Sequence, residues 1–371
     1  MRRQSVNYEE MMKIKKIVKE RNEYLDILRG IAIFLMVWGH CIQYGNGLEF
    51  SQPEVFFNNF LFKFIYSFHM PLFMLISGYV FAYTARKHNK IHSFLLNRFL
   101  RILLPIASWQ IVNCLKYLVK PQAEERWIFV YLMSLPKEFW FLWAIFYCSI
   151  AIWVGRYVFK DNILWYFLGF AMTFFVPEVV PNMKYYEFLY PFFVGGYLWN
   201  EKRDERNWNK IDNRMQTITF LVFLLIYVFL MHFWSYDSYI YTSGYTLLWR
   251  ENPLHQFGID IYRMFVGFAG STVMMLGIKL IYEKKRQKQK CEKWVIFIEH
   301  ILAELGKKSL GIYIISGQLI GTLLIANIQY FSCNYFVNLI QTAIIIGISY
   351  LITYWIGKNT ILDSMFLGGR N

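Results

Sequence analysis

Charge is scarce in this chain. Of its 371 residues, 17% are Asp, Glu, Lys or Arg, whereas a soluble globular domain carries about a quarter, so no ordinary water-facing surface can be built from it. Acidic groups are the rarer sign, with 25 against 39 basic ones and a net charge of +14. Cysteine is sparse too: Cys41, Cys114, Cys148, Cys291 and Cys333 fall in or beside different apolar segments, with no CxxC pair and no metal-type spacing. They read as small membrane residues, not as a disulfide framework or a metal cluster. No signal-peptide cleavage pattern precedes the first apolar block, and no fixed-period repeat or low-complexity linker is present. Disorder, a disulfide scaffold and a fibrous repeat are excluded by these numbers.

What the chain does have is apolar length. Hydrophobic residues make up 56% of it and aromatic residues 20%, gathered in blocks of roughly 20, the length that crosses a hydrocarbon core about 30 Å thick. Ten spans are expected, over 25–44, 58–83, 94–117, 139–158, 162–180, 185–200, 216–234, 257–282, 309–328 and 336–357. Lys and Arg alternate between the connections: seven in residues 1–24, three in 84–93, five in 201–215 and six in 283–293, against none in 45–57 and none in 329–335. The third connection is also basic-poor, with Lys120, Arg126 and Lys137. Basic loops stay in the cytoplasm. The pattern therefore predicts an all-α polytopic bundle of ten transmembrane helices with both termini cytoplasmic, a single unit over 1–371 preceded by a basic segment, 1–24. A β-barrel would show ten-residue alternating strands in place of continuous apolar runs. Net positive charge then marks topology, and nucleic acid is not expected as a partner. Residues 11–19 and Trp294 to Leu305 mix apolar and charged faces and are expected on the cytoplasmic membrane surface.

Charges inside spans are costly and mark where function is expected. The first span carries Asp26, Arg29 and His40 in YLDILRGIAIFLMVWGHC. Eleven residues of helix make about three turns and rise about 16 Å, so Arg29 and His40 share a face, Arg29 near the cytoplasm and His40 deep. The plain alternative is a snorkelling Arg paired with Asp26 and a buried structural His. In the second span His69 precedes Pro71, which frees a carbonyl and bends the helix beside it; a packing kink explains the same residues. Arg98 and Arg101 open the third span on one side of a helix. They suit a bidentate clamp on phosphates or, equally, contact with anionic lipid heads. Trp140 and Trp143 sit at a membrane boundary, as belt residues do. Glu187, Asp237 and Asp260 are expected at outer ends, solvated. The outer aromatics Trp234, Tyr236, Tyr239, Tyr241, Tyr245 and Trp249 suit sugar stacking or belt anchoring alike.

These residues resemble the acyltransferase 3 family of integral membrane O-acyltransferases, nearest its fucose 4-O-acetylase-like branch. RGIAIFLMVWGH at 29–40 is similar to the family's Arg, ten residues, His signature; FHMPLFMLISGY at 68–79, RFLRILLP at 98–105, FWFLW at 139–143 and GKKSLGIYII at 306–315 follow in register along nearly the whole chain. One departure is that Ser316 stands where many relatives place a His.

The resemblance implies transfer of an acyl group, commonly acetyl from acetyl-CoA, to a hydroxyl of a surface glycan or its lipid-linked precursor, in a bacterial inner membrane. Arg29, Arg98 and Arg101 would then bind the coenzyme A phosphates at a cytoplasmic mouth. The axial step from Arg29 to His40 roughly matches a pantetheine arm about 15 to 20 Å long. His40 is the candidate general base. His69 would orient the acceptor, stabilise the oxyanion or act as a second base, and a covalent acyl-His remains open. No metal is expected. Succinyl-CoA or another donor on the same scaffold is the alternative within enzymes. A proton-coupled transporter or polysaccharide exporter is disfavoured by the lack of inverted repeats and broken helices, and a structural or sensing protein by the motifs together. The topology has a direct check. Cysteine-accessibility labelling should place residues 45–57 and 201–215 on opposite sides of the membrane, and labelling of both from one side would refute it.

Overall fold

A computed structural model describes residues 22–44, 57–118, 127–177, 183–202, 213–287, 293–324 and 335–369. The basic segment before residue 22, the amphipathic stretch 11–19, Cys291, Cys333 and most of the loops used for the charge alternation lie outside the described residues. Among the described residues there is no strand. The helices are α1 (Glu23–Tyr44), α2 (Phe60–Lys87), α3 (Ile91–Arg98, a π turn Phe99–Leu103, then Leu104–Leu118), α4 (Trp127–Ser134), α5 (Trp140–Tyr157) and α6 (Ile163–Thr173). They continue as α7 (Met183–Lys202), α8 (Asn213–His232), α9 (Pro253–Gln287), α10 (Lys293–Lys307), α11 (Ser309–Leu319, extended by the π turn Ile320–Leu324) and α12 (Tyr335–Lys358), with a final π turn at Asp363–Leu367.

Each of the ten expected spans falls on a helix. Seven, namely α1, α2, α3, α5, α8, α9 and α12, are long and apolar enough to cross a membrane among the described residues. The chain is an all-α polytopic membrane protein. α6 and α11 are apolar but short, and α7 carries Lys184 and Glu187 among many aromatics. The reason α7 reads differently lies in its place. Leu189, Phe192, Phe193 and Tyr197 are buried, so its flanks meet protein instead of lipid and need less aliphatic surface. α8 is the opposite case, with Leu225 and Phe229 more than half exposed, as a lipid-facing helix should be.

Lipid supplies no hydrophobic drive between helices, so close packing depends on small residues. At Gly78 and Gly196 the backbones of α2 and α7 touch: a Cβ on Gly196 would run into the Leu75 carbonyl and one on Gly78 into the Phe193 carbonyl. At Gly30 and Gly306 the backbones of α1 and α10 meet the same way, against Leu302 and Asp26. Thus α10 holds α1 with one face while Trp294, Phe297 and Ile298 stay exposed on the other, the two-faced character expected of this stretch.

Ion pairs and hydrogen bonds bring one set of helix ends together. Arg86 at the end of α2 pairs with Glu201 at the end of α7, and Tyr24 at the start of α1 donates to the Met275 carbonyl of α9 (2.7 Å). The last turns of α2, α7, α10 and α12 carry Lys or Arg, which also complements their dipoles. We call this the basic end. Replacing Gly196 by Ala should cost about 1–3 kcal/mol through overpacking against backbone, read as a lowered Tm in detergent. Gly347→Ala, on the open face of α12 where nothing lies within 4 Å, should leave Tm unchanged or raise it.

Candidate active site

At the basic end a cavity of about 470 Å³ opens between α1, α2, α3, α5 and α11, a size that suits a small-molecule ligand. Its rim is cationic: Arg29, Lys87, Arg98, Arg101, Lys307 and Lys308 all line it. The three arginines singled out from sequence therefore border one space. They are held differently. Arg29 pairs with Asp26 at 3.5 Å, as their spacing predicts. Arg98 is buried, its guanidinium 5.3 Å from the Phe81 ring centre and 5.9 Å from that of Phe94, and it donates to Asn97 Oδ1 at 2.5 Å. Arg101 donates to the Gly369 carbonyl at 2.6 Å. The regular helix expected for Arg98 and Arg101 is interrupted, because Arg101 sits within the π turn, a distortion frequent at functional sites.

His88, at the end of α2, borders the same rim and contacts Ser93 Oγ through Nδ1 at 2.6 Å. Burial first, and then Lys87, Arg98 and Arg101, push its imidazole below the usual histidine range, so at neutral pH the positive charge of the lining is that of its Arg and Lys side chains, beside one carboxylate, Asp363. Lys87 belongs to this rim and not to a detached loop, and Lys307 and Lys308 join it from the GKKS motif.

Deeper in, the walls turn apolar, with Phe81, Phe141, Leu142, Ile145, Phe193 and Tyr313. The floor reaches Met36, Met70 and Phe73. Met36 is one helical turn from His40 on α1, and Phe73 one turn from His69 on α2.

Beyond that floor the two histidines meet across Tyr66. The Tyr66 hydroxyl donates to Gln43 Oε1 (3.0 Å) and lies 3.1 Å from Nδ1 of His40. A phenol has one proton to give, so with that proton on Gln43 the hydroxyl must accept from His40 Nδ1–H. Nε2 of His40 is then the ring's proton acceptor. His69 reaches the same state by another route, since its Nδ1 faces the Ile65 carbonyl at 2.8 Å, an acceptor only. Its ring stands edge-on to Tyr66 with centroids 4.9 Å apart. In the neutral form both imidazoles thus leave Nε2 unprotonated, with the tautomer set by the opposite nitrogen.

Tyr66 and Gln43 were not singled out from sequence, although each lies three residues from a histidine and so on its helix face. Ser316, the departure from the family pattern, is fully buried and bonds back to the Tyr313 carbonyl at 3.2 Å. Two expectations fail. Glu187 and Asp260 are 3% and 2% exposed, not solvated, because both lie where α7 and α9 are covered by the 239–248 segment. Of the outer aromatics, Trp234, Tyr239 and Tyr245 are buried while Tyr236 and Trp249 are exposed.

Neither histidine lines the chamber itself; they lie within one helical turn of its lining residues Met36, Met70 and Phe73. A helical membrane protein whose basic chamber ends one turn from two histidines has the layout of a membrane acyltransferase. The acyltransferase 3 model, described as an acyltransferase domain, matches residues 22–358, and the chain belongs to that family; it is a membrane O-acyltransferase. Nodulation protein NolL of Mesorhizobium japonicum (strain LMG 29417 / CECT 9101 / MAFF 303099) is 27% identical over 316 residues, covering 80% of this chain and 76% of that protein. Nodulation protein NolL of Sinorhizobium fredii (strain NBRC 101917 / NGR234) is 27% identical over 235 residues, 60% of each chain. No solved structure matches the chain. Tyr66→Phe should lower acyl-transfer turnover by about 10- to 100-fold, as misoriented catalytic groups do, with the amount of folded protein in the membrane unchanged on size-exclusion chromatography.

Proposed function

We propose that the protein moves an acetyl group from cytoplasmic acetyl-CoA to a hydroxyl of a cell-surface polysaccharide or lipid-linked sugar, with His40 as general base. One observation carries this reading: a single cavity has Arg29, Arg98 and Arg101 at its rim and an apolar throat that ends one turn from His40 and His69. Coenzyme A has the matching order, phosphates first and an uncharged arm behind them. Arg98 and Arg101 supply planar donor forks for phosphate oxygens, and the throat keeps water from the thioester.

In this reading the acceptor hydroxyl gives its proton to Nε2 of His40 as its oxygen attacks the thioester carbonyl. The carbon–sulfur bond then breaks and the departing thiolate takes up the proton. Neutral His69, with its one N–H on Ile65, has none to offer an oxyanion, which favours acceptor orientation by its Nε2 over oxyanion stabilisation. On the same reading the basic end faces the cytoplasm, where coenzyme A is found, and the ten spans read from the sequence cross an inner membrane with both termini on that side.

The test is purified protein in detergent, supplied with labelled acetyl-CoA and lipid-linked glycans extracted from the host membrane; label should pass to the glycan and coenzyme A should be released with it. His40→Ala should reduce turnover by about 10²- to 10⁴-fold, the range for loss of a general base, without loss of folded protein. Arg→Lys at 29, 98 or 101 should raise the KM for acetyl-CoA, because Lys keeps the charge but loses the fork. Arg214→Lys, exposed and away from the cavity, serves as control. Unchanged KM and kcat in all three would remove these arginines from donor binding, and near-normal turnover in His40→Ala would leave that residue a packing histidine.

A further inference from the structure

The end of the bundle opposite the basic rim holds a second set of charges that the reading above does not use. Arg263 and Asp260, one helical turn apart on α9, are 1% and 2% exposed and paired at 3.0 Å. Gln256, one turn earlier, donates from Nε2 to Asp260 Oδ1 at 3.0 Å and to the Gly244 carbonyl at 3.2 Å. Arg263 Nη2 donates to Ser243 Oγ at 2.7 Å. A fully buried ion pair is a weak stabiliser, because desolvation offsets most of its attraction. What it does supply is direction: Arg263 bonds Ser243, and Gln256, which also bonds Asp260, bonds Gly244, so the two hydrogen bonds end on one short segment.

That segment is built to be held. Ile240–Ser243 is a single helical turn ended by Gly244 at φ 74°, a left-handed conformation that glycine adopts without strain. Tyr239 precedes the turn and Tyr241 lies within it; their rings are 6.5 and 6.0 Å from the ring of Tyr66. Tyr239 also donates to the Phe57 carbonyl at 3.0 Å, and Phe57 stacks on Tyr241. Behind the turn, Tyr245 stacks on Phe174 and contacts Thr173 Oγ1 at 3.1 Å. The segment is thus fixed on one side by α9 and α6 and presses with the other on the residue that accepts from His40.

We infer that Asp260, Arg263 and Gln256 are positioning residues for the histidine pair: through Ser243 and Gly244 they fix Tyr239 and Tyr241 against Tyr66, and so hold the His40–Tyr66–Gln43 hydrogen bonds in register. This rests on His40 acting as the base. A cluster that only strengthened the fold would change how much protein folds. One that positions Tyr66 changes the rate of each folded molecule.

The experiment measures kcat and the KM for acetyl-CoA, per folded molecule, with labelled acetyl-CoA and extracted lipid-linked glycans. The variants are Arg263→Gln, Ser243→Ala, Tyr66→Phe and the Ser243→Ala/Tyr66→Phe double. Ser243→Ala removes one hydroxyl, so the question survives if Arg263→Gln does not fold. We expect Ser243→Ala to lower kcat by about 3- to 10-fold with KM unchanged, and Arg263→Gln to lower it further. The double variant should stay within about twofold of Tyr66→Phe alone, because residues acting through one contact are non-additive. Normal kcat in Ser243→Ala, a double variant whose loss is the product of the two singles, or a loss confined to folded yield would overturn the inference while His40→Ala remains inactive. Normal turnover in His40→Ala would instead remove the base itself, and the inference with it.

Discussion

Two pairs of glycines set the distances on which the rest of the molecule depends. In a bilayer the backbone is satisfied within each helix, and helices gain from contact only as far as their surfaces fit. Where Gly78 and Gly196 let α2 lie on α7, and Gly30 and Gly306 let α1 lie on α10, main chains meet without intervening side chains. α1 is thereby clamped from one side and α2 from the other. The space left between them is a narrow throat, and the two helices are close enough for Tyr66 of α2 to bond His40 of α1. Gly30 adjoins Arg29 and Gly306 adjoins Lys307, so the same close approach that seats α10 also forms part of the basic rim.

Along the axis the molecule is graded from charge to aromatic. Arginines and lysines collect where α1 begins and α2, α7 and α12 end; apolar walls follow; the histidines and tyrosines come last. The gradient orders the site by solvation. Most of the rim cations keep contact with water while Arg98 is buried, and the imidazoles lie deeper, half-buried or buried, where hydrogen bonds of fixed direction set which nitrogen is free. The buried pair Asp260–Arg263 extends the same logic to the far end, since inside low dielectric a charge pair with directed hydrogen bonds is a locator more than a source of stability.

The polar residues of α12 support α1 from behind. Asn338 donates to the Cys41 carbonyl at 3.2 Å and to Gln341 Oε1 at 3.0 Å, beside His40 in sequence. Thr342 and Thr353 bond back to their own helix, which lets a stripe of hydroxyl and amide groups face the bundle without orphaned polar atoms at those hydroxyls. The late position occupied by Ser316 follows the same habit. Its hydroxyl is turned to its own helix, so α11 contributes wall instead of an imidazole.

The sequence by itself determined the class of the protein, a helix at each of the ten expected spans, and the charged and histidine residues first worth testing. Those properties are local: apolar length, the 3.6-residue period and the cost of charge in lipid can all be read from neighbours along the chain, as can the Asp26–Arg29 pair and the common face of Arg29 and His40. The tertiary structure alone decided what lies across from each of them. That Arg98 lies against Phe81 of α2, that Arg101 meets the Gly369 carbonyl, that Lys87, Lys307 and Lys308 share their rim, and that Tyr66 of α2 bonds His40 of α1 are contacts between elements far apart in sequence. Glu187 and Asp260 show the limit most clearly. At the end of a span a carboxylate is solvated or buried according to whether another segment covers it, and that cover, residues 239–248, follows from packing that no spacing along α7 or α9 encodes.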